Sequence, residues 1–159
     1  MTELETLICT GKLCPYCGKE PVLTDSACIY GKSYGMIYLC KPCDAYVGVH
    51  RNSTVALGRL ANADLRKHKK LAHEKFDALW KIGGMSRSDA YSWLSKMLGT
   101  EPDFTHIGMF DKEKCLDTFF ISEVKLELLL KNNTSDEKIR TIISDRRERI
   151  GLRGFTQRD

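Results

Sequence analysis

Leu13-Cys14-Pro15-Tyr16-Cys17-Gly18-Lys19, LCPYCGK in one-letter code, has two incompatible readings. Its Cys14-Pro15-Tyr16-Cys17 core has the form of a redox dithiol, which makes an enzyme, and it is equally half of a zinc knuckle, which makes a metal-stapled module. The stretch that decides between them is Cys40-Lys41-Pro42-Cys43, separated from the first pair by residues 18 to 39. Two such pairs supply the four soft ligands that zinc takes in a tetrahedron at about 2.3 Å, whereas a redox dithiol needs one pair. The separation is slightly longer than the roughly 15–20 residues usual for zinc. Local chemistry agrees with the metal: a redox pair opens a helix, but here Gly18 and Pro21 follow at once. Gly18 suits a left-handed turn after the second ligand, and Asp44, in the equivalent place after Cys43, is among the few other residues that tolerate it. One structural Zn2+ held by Cys14, Cys17, Cys40 and Cys43 is expected, with a redox centre or an unmetallated thiol cluster as the alternatives.

Around the two pairs the pattern is of strands. PVLT, ACIYG, GMIYLC and AYVGVH are short, β-branched or aromatic, and separated by Gly, Ser and Asp. Tyr34, Met36, Tyr38 and Cys40 alternate with Gly35, Ile37 and Leu39, the period of a strand. A three- or four-stranded antiparallel sheet stapled by zinc is a zinc ribbon. A segment this short, with few large aliphatics, needs the metal to hold it.

From Leu57 onward the period becomes helical. Asn62 reads as the N-cap of a helix through Lys81, with Leu65, His68, Ala72, Phe76 and Leu79 along one stripe, about 19 residues or roughly 28 Å. Ser86-x-x-Asp89, a capping-box variant, opens a second helix that ends at Gly99. A third begins near Asp111, with Ser122 as a candidate break, and Thr134-x-x-Glu137 opens a last one closed by Gly151. The expected class is α+β: a small antiparallel zinc ribbon followed by a helical part of three to four α-helices. The expected divisions are a ribbon over 1–56, a basic amphipathic helix over 57–82, a helical part over 83–151 and a frayed tail over 152–159.

With 159 residues, 42% hydrophobic and 29% charged, the chain has the size of one ordinary domain or of a small module joined to a larger one. MTELETLICT carries two acids, no base and no sustained apolar run, which matches neither a secretory signal nor a transit peptide. No stretch approaches a membrane span, so a soluble intracellular protein is expected. In such a compartment seven cysteines point to metal ligands rather than to a disulfide framework. The net charge of +4 permits an anionic partner without requiring one.

Two sets of residues are candidates for binding. Arg66, Lys69, Lys70 and His73, with Arg59 and Lys81 near the ends, form a basic stripe suited to a phosphate backbone. Glu74 and Asp77 stand within i, i+4 reach of that stripe, so a merely solvated helix face has the same pattern. Tyr30, Tyr34, Tyr38 and Tyr46 resemble a base-stacking platform, with Lys32 and Lys41 for phosphates, although a small ribbon also uses tyrosines as core. Trp80 and Trp93 are expected to pack helices together, His50 and His68 to be structural, and His106 to make a loop hydrogen bond.

Catalytic motifs are sparse. An H-x-E element before the cysteine pair, as a zinc deaminase needs, does not occur. His73-Glu74 has Asp77 where a zinc protease helix carries its second histidine. Four thiolates leave zinc no open position for water. The remaining enzyme sketch is a magnesium-dependent nuclease built on Glu123-x-Lys125.

The order Cys14-Pro-Tyr-Cys17-Gly18, then YLCKPCDAYVGVH, LGRLANADLRKHKKLAHEKFDALW, SRSDAYSWLSKMLG and HIGMFDKEKC, resembles a family of small phage and prophage proteins described as zinc-finger-containing, of unassigned function. The resemblance covers roughly residues 13 to 117. It implies a zinc-binding N-terminal part and a bacterial cytoplasm, and it carries no catalytic mechanism. The expected function is non-enzymatic: a zinc-ribbon protein binding nucleic acid in phage DNA or RNA metabolism. The alternative, favoured by the weak net charge and the apolar run LELLLKNN, is a protein-binding adaptor or inhibitor of a host factor.

Overall fold

The computed structural model describes residues 1–133 and 135–156, with side chains through residue 151. The chain forms two compact units, one of Met1–Lys69 with His106–Lys112, the other of Lys70–Thr105 with Glu113–Asp159.

The first unit opens with helix α1 (Glu3–Cys9), set by a capping box in which the Glu5 amide donates to Thr2 Oγ1 and the Thr2 amide donates to the Glu5 carboxylate. Two turns of helix give too little periodicity to stand out in the sequence. Strands β1 (Val22–Asp25), β2 (Met36–Cys40) and β3 (Ala45–Gly48) form an antiparallel sheet in the order β1-β2-β3. Tyr38 stands opposite Leu23 and Val47, and Leu39 opposite Val22 and Tyr46. Because successive strand residues point to opposite faces, Leu23, Tyr38 and Val47 share one face while Val22, Leu39 and Tyr46 share the other. Tyr38 and Val47 pack on a buried nucleus of Cys14, Cys40, Ala45 and Leu60, so the ribbon's small core and its cysteines are one structure.

ACIYG, expected as a strand, is instead the short helix α2 (Ala27–Tyr30). The Asp25 carboxylate accepts from the Ala27 amide at 2.7 Å, turning the chain at the end of β1, and Gly31 at φ 70° stops the helix after one turn. Its β-favouring composition is overridden by this local capping.

Helix α3 (Ala63–Lys81) starts where expected: the Leu65 amide donates to Asn62 Oδ1 at 3.0 Å, and Leu65, Ala72, Phe76 and Leu79 are buried. The segment His106–Lys112 returns to the first unit. There the Arg59 amide donates to the Gly108 carbonyl at 3.0 Å, and Ile107 and Phe110 are buried. Gly58 permits this approach, since a Cβ at that position would overlap the Gly108 carbonyl. His106 flanks the 3-10 turn Ile107–Met109 within the segment.

In the second unit α4 (Arg87–Leu98) is capped by Ser86, whose hydroxyl accepts from the Asp89 amide at 3.0 Å, and closes on left-handed Gly99. Phe76 meets the edges of Trp80 and Tyr91, while Trp93, Leu94, Ile121 and Ile139 are buried. Helix α5 (Lys112–Leu130) runs without the break expected near Ser122, because Ser122 is fully buried on its packed face. Helix α6 (Glu137–Thr156) passes through Gly151, where one glycine costs a helix only about 1 kcal/mol. Thr134, expected to open it, and residues 157–159 of the expected frayed tail lie outside the described residues. Lys125, only 6% exposed, pairs with Asp136 at 2.7 Å just before α6. Arg146 of α6 pairs with Asp117 of α5. Among the described residues no helix is long and apolar enough to cross a membrane.

Candidate metal centre and aromatic face

Each cysteine pair sits on a tight turn. In the first, the Gly18 amide donates to the Cys14 carbonyl at 2.9 Å and Gly18 is left-handed at φ 69°. In the second, Cys43 ends a 3-10 turn, Lys41–Cys43, and Asp44 is left-handed at φ 47°. Both conformations are those read from the residue types after the second ligands. No helix follows Cys17, so the first pair lacks the helix N-terminus that activates a redox thiol.

The four sulfurs of Cys14, Cys17, Cys40 and Cys43 lie within 4.8 Å of one another, and Cys17 Sγ is 3.6 Å from Cys40 Sγ. Tetrahedral zinc at about 2.3 Å from sulfur places sulfurs about 3.8 Å apart, and a cluster this tight suits it. The electrostatics point the same way. The Lys19 backbone N–H draws the Cys17 thiol down to about 7, while burial pushes Cys40 up and, with the neighbouring thiols, pushes Cys43 up to about 12. Four thiolates so close do not ionise together without a cation among them, and a divalent cation removes that penalty. Cys9, Cys28 and Cys115 are outside the cluster. His50 is outside it as well.

A family model described as a zinc-finger-containing domain matches residues 10–124, which include all four cysteines. The chain belongs to the zinc-finger-containing domain family. No curated protein and no solved structure matches it.

In this zinc-finger-containing protein the tyrosine of the first knuckle has a structural use: the Tyr16 hydroxyl accepts from the Asn62 amide at 3.0 Å, tying the knuckle to the cap of α3. The second knuckle is tied to the same helix. Arg66 donates to the carbonyls of Asp44 and Ala61 at 3.0 and 2.7 Å, pairs with the Asp44 carboxylate at 3.5 Å, and stacks over Tyr46 at 4.2 Å.

Tyr46 belongs to an aromatic group on the outer face of the ribbon. Tyr30 meets Tyr34 and Tyr46 edge-on at 5.7 and 6.1 Å, and the Tyr30 and Tyr46 hydroxyls are 3.0 Å apart. Lys32 lies 5.8 Å from the Tyr34 ring. Tyr34 is 74% exposed, and the group lines a cleft of about 630 Å³.

The residues singled out from sequence separate in space. Tyr34 and Lys32 lie on this face. Tyr38 does not: β-alternation turns it to the opposite face, where its hydroxyl donates to the Thr54 carbonyl at 2.7 Å. Lys41 is exposed on the second knuckle. Lys69 is half-buried and donates to the carbonyls of Gly108 and Arg59 at 2.6 and 3.2 Å. Lys70 and His73 are exposed and belong to the second unit, with His73 Nδ1 3.6 Å from the Asp77 carboxylate. His68 is half-buried, and its Nδ1 donates back to the Asp64 carbonyl one turn earlier in the same helix at 2.7 Å. Glu123 pairs with Lys75 and Lys125 with Asp136. Arg51 and Asn52, which were not singled out from sequence, line the same cleft as the tyrosines. Their only signal was polarity directly after the strand-like run AYVGVH.

Proposed function

We propose that this protein is a non-enzymatic zinc-ribbon protein that binds nucleic acid, with Tyr30, Tyr34 and Tyr46 as the stacking surface and Lys32 beside them for phosphate. The observation that carries this reading is the aromatic face itself, Tyr30 in edge contact with both Tyr34 and Tyr46 at an open cleft, with a cation over the rings of Tyr34 and of Tyr46. The zinc is structural, because four thiolates complete its coordination. Its part is to fix the two knuckles between which β2 runs, and through Asp44 and Arg66 to fix Tyr46. A role in phage DNA or RNA metabolism, in a bacterial host cytoplasm, rests on the sequence resemblance.

The second reading is a protein-binding adaptor: of the apolar run LELLLKNN, Leu126, Leu128 and Leu129 are half-buried in their own unit and Leu130 is exposed. Fluorescence anisotropy of labelled oligonucleotides with zinc-loaded protein tests the proposal. Binding at low salt should weaken as salt rises, and Tyr34→Leu should weaken it with little change in salt slope, since stacking releases no counterions. Absence of binding at low salt sinks the nucleic-acid reading. A pull-down from host lysate, with and without nuclease, then becomes the test of a protein partner.

A further inference from the structure

The cleft beside the tyrosines has a second wall. After β3 the chain continues to a bridge between Val49 and Ala56, and a second bridge joins Tyr46 to Ala61. The turn between is held by backbone bonds from the His50 amide to the Val55 carbonyl at 2.9 Å and from the Ser53 amide to the His50 carbonyl at 3.1 Å. Asn52 occupies its left-handed position at φ 56°. The side chains of His50, Arg51 and Asn52 are exposed, line the same cleft as the aromatic group, and have no hydrogen bond or ion pair among the described residues.

The serines at and beside the cleft have structural uses: Ser53 accepts from the Val55 amide at 2.9 Å. Ser26, 2% exposed, accepts from the Tyr34 amide at 2.7 Å, and Ser33 donates to Asp25 at 2.8 Å. These bonds fix the loop that carries Tyr34 before any ligand arrives, which lowers the ordering cost of binding. One wall is thus rigid and aromatic, and the other presents an imidazole, a guanidinium and an amide with unused donors and acceptors.

We propose that the two walls form one site for an unpaired nucleotide of a single strand: base on Tyr34 and Tyr30, base edge at Asn52 and His50, phosphate at Arg51. The proposal rests on the nucleic-acid reading above and adds what class of strand is taken and what recognises it. Three considerations lead to it. A base in a duplex has both faces covered by its neighbours, so a stacking wall selects an unpaired one. An amide offers two donors and an acceptor, the complement of a base edge, and a guanidinium fork suits a phosphate. A volume of about 630 Å³ lies within the roughly 300–1,000 Å³ of small-molecule sites, which suits a group of nucleotide size.

The test is anisotropy on the full zinc-loaded chain with a labelled single strand, its duplex and homopolymer strands at two salt concentrations. Zinc content and far-UV circular dichroism of each variant confirm folding. Wild type should prefer the single strand by about ten-fold or more, the scale of one stacked base. Arg51→Gln should lower the magnitude of the log-log salt slope by about 0.7, one phosphate of a single strand. Asn52→Gly keeps the left-handed turn, so it should leave the slope unchanged while reducing preference among homopolymers. If both variants bind like wild type while Tyr34→Leu loses affinity, the second wall is wrong and the stacking face stands. Equal or tighter binding of duplex overturns the unpaired-nucleotide site but not nucleic-acid binding. No binding of any oligonucleotide by wild type removes both.

Discussion

The Lys69 ammonium lies 2.6 Å from the Gly108 carbonyl oxygen and 3.2 Å from that of Arg59, joining two segments that are far apart in sequence. A charged donor on two carbonyls does more than a surface lysine. Lys69→Met, which keeps the length of the side chain, is expected to lower stability by about 2 kcal/mol, within the range for hydrogen bonds to charged groups. The urea midpoint should fall with little change in the slope of the transition. The same variant should leave the salt slope of oligonucleotide binding intact, whereas a lysine on phosphate would reduce it.

Gly58 lies against the same carbonyl. Gly58→Ala forces a Cβ into the Gly108 peptide, backbone against backbone, and is expected to cost about 3 kcal/mol, at the upper end for overpacking. Gly18→Ala is the control: nothing lies near its Cβ position, so only the left-handed conformation is penalised, by about 1–2 kcal/mol. Equal destabilisation of the two variants would falsify the close approach as the reason for Gly58.

Zinc content separates the seven cysteines. Elemental analysis should find one zinc per chain in wild type and in the Cys9→Ser, Cys28→Ser and Cys115→Ser variants, and loss of zinc in Cys14→Ser or Cys40→Ser. Because Cys14 and Cys40 form part of the ribbon's buried nucleus, chelation should also abolish its near-UV signal. Apparent structural zinc binding of about 10–16 kcal/mol is large beside the total stability of a small unit. Retention of full zinc by Cys14→Ser would refute the ligand set.

Asp64 in the first turn of α3 lies 3.0 Å from the Lys112 ammonium, which holds its carboxyl below the usual 3.8. A pKa depressed on folding gives stability that is present above the unfolded value and lost as pH falls through the folded one. The carboxylate is exposed, so the contribution is small and salt-screened. Urea midpoints of wild type and Asp64→Asn should differ at pH 7 and low salt and converge as the pH is taken below the folded pKa. A gap independent of pH would exclude the ion pair as its source.

The sequence by itself determined what depends on residue type and short spacing. Cys14, Cys17, Cys40 and Cys43 were legible because zinc specifies its ligands and their turns: Gly18 and Asp44 adopt the left-handed conformations their residue types predict. Asn62 and Ser86 cap α3 and α4 as read, since a cap acts within three residues. Only the tertiary structure decided where side chains with equal credentials would point. Tyr38 and Tyr46 are both ribbon tyrosines, but β-pairing and the buried cysteine nucleus put them on opposite faces. Lys69 and Lys70 are adjacent cations on one helix. One is drawn inward by a carbonyl that only folding brings near, and its neighbour, a helical step of about 100° away, remains in water. The cleft that joins Tyr34 to Arg51 and Asn52 exists for the same reason: local rules set each turn and strand, and the burial of one sheet face fixed what the other face was left to present.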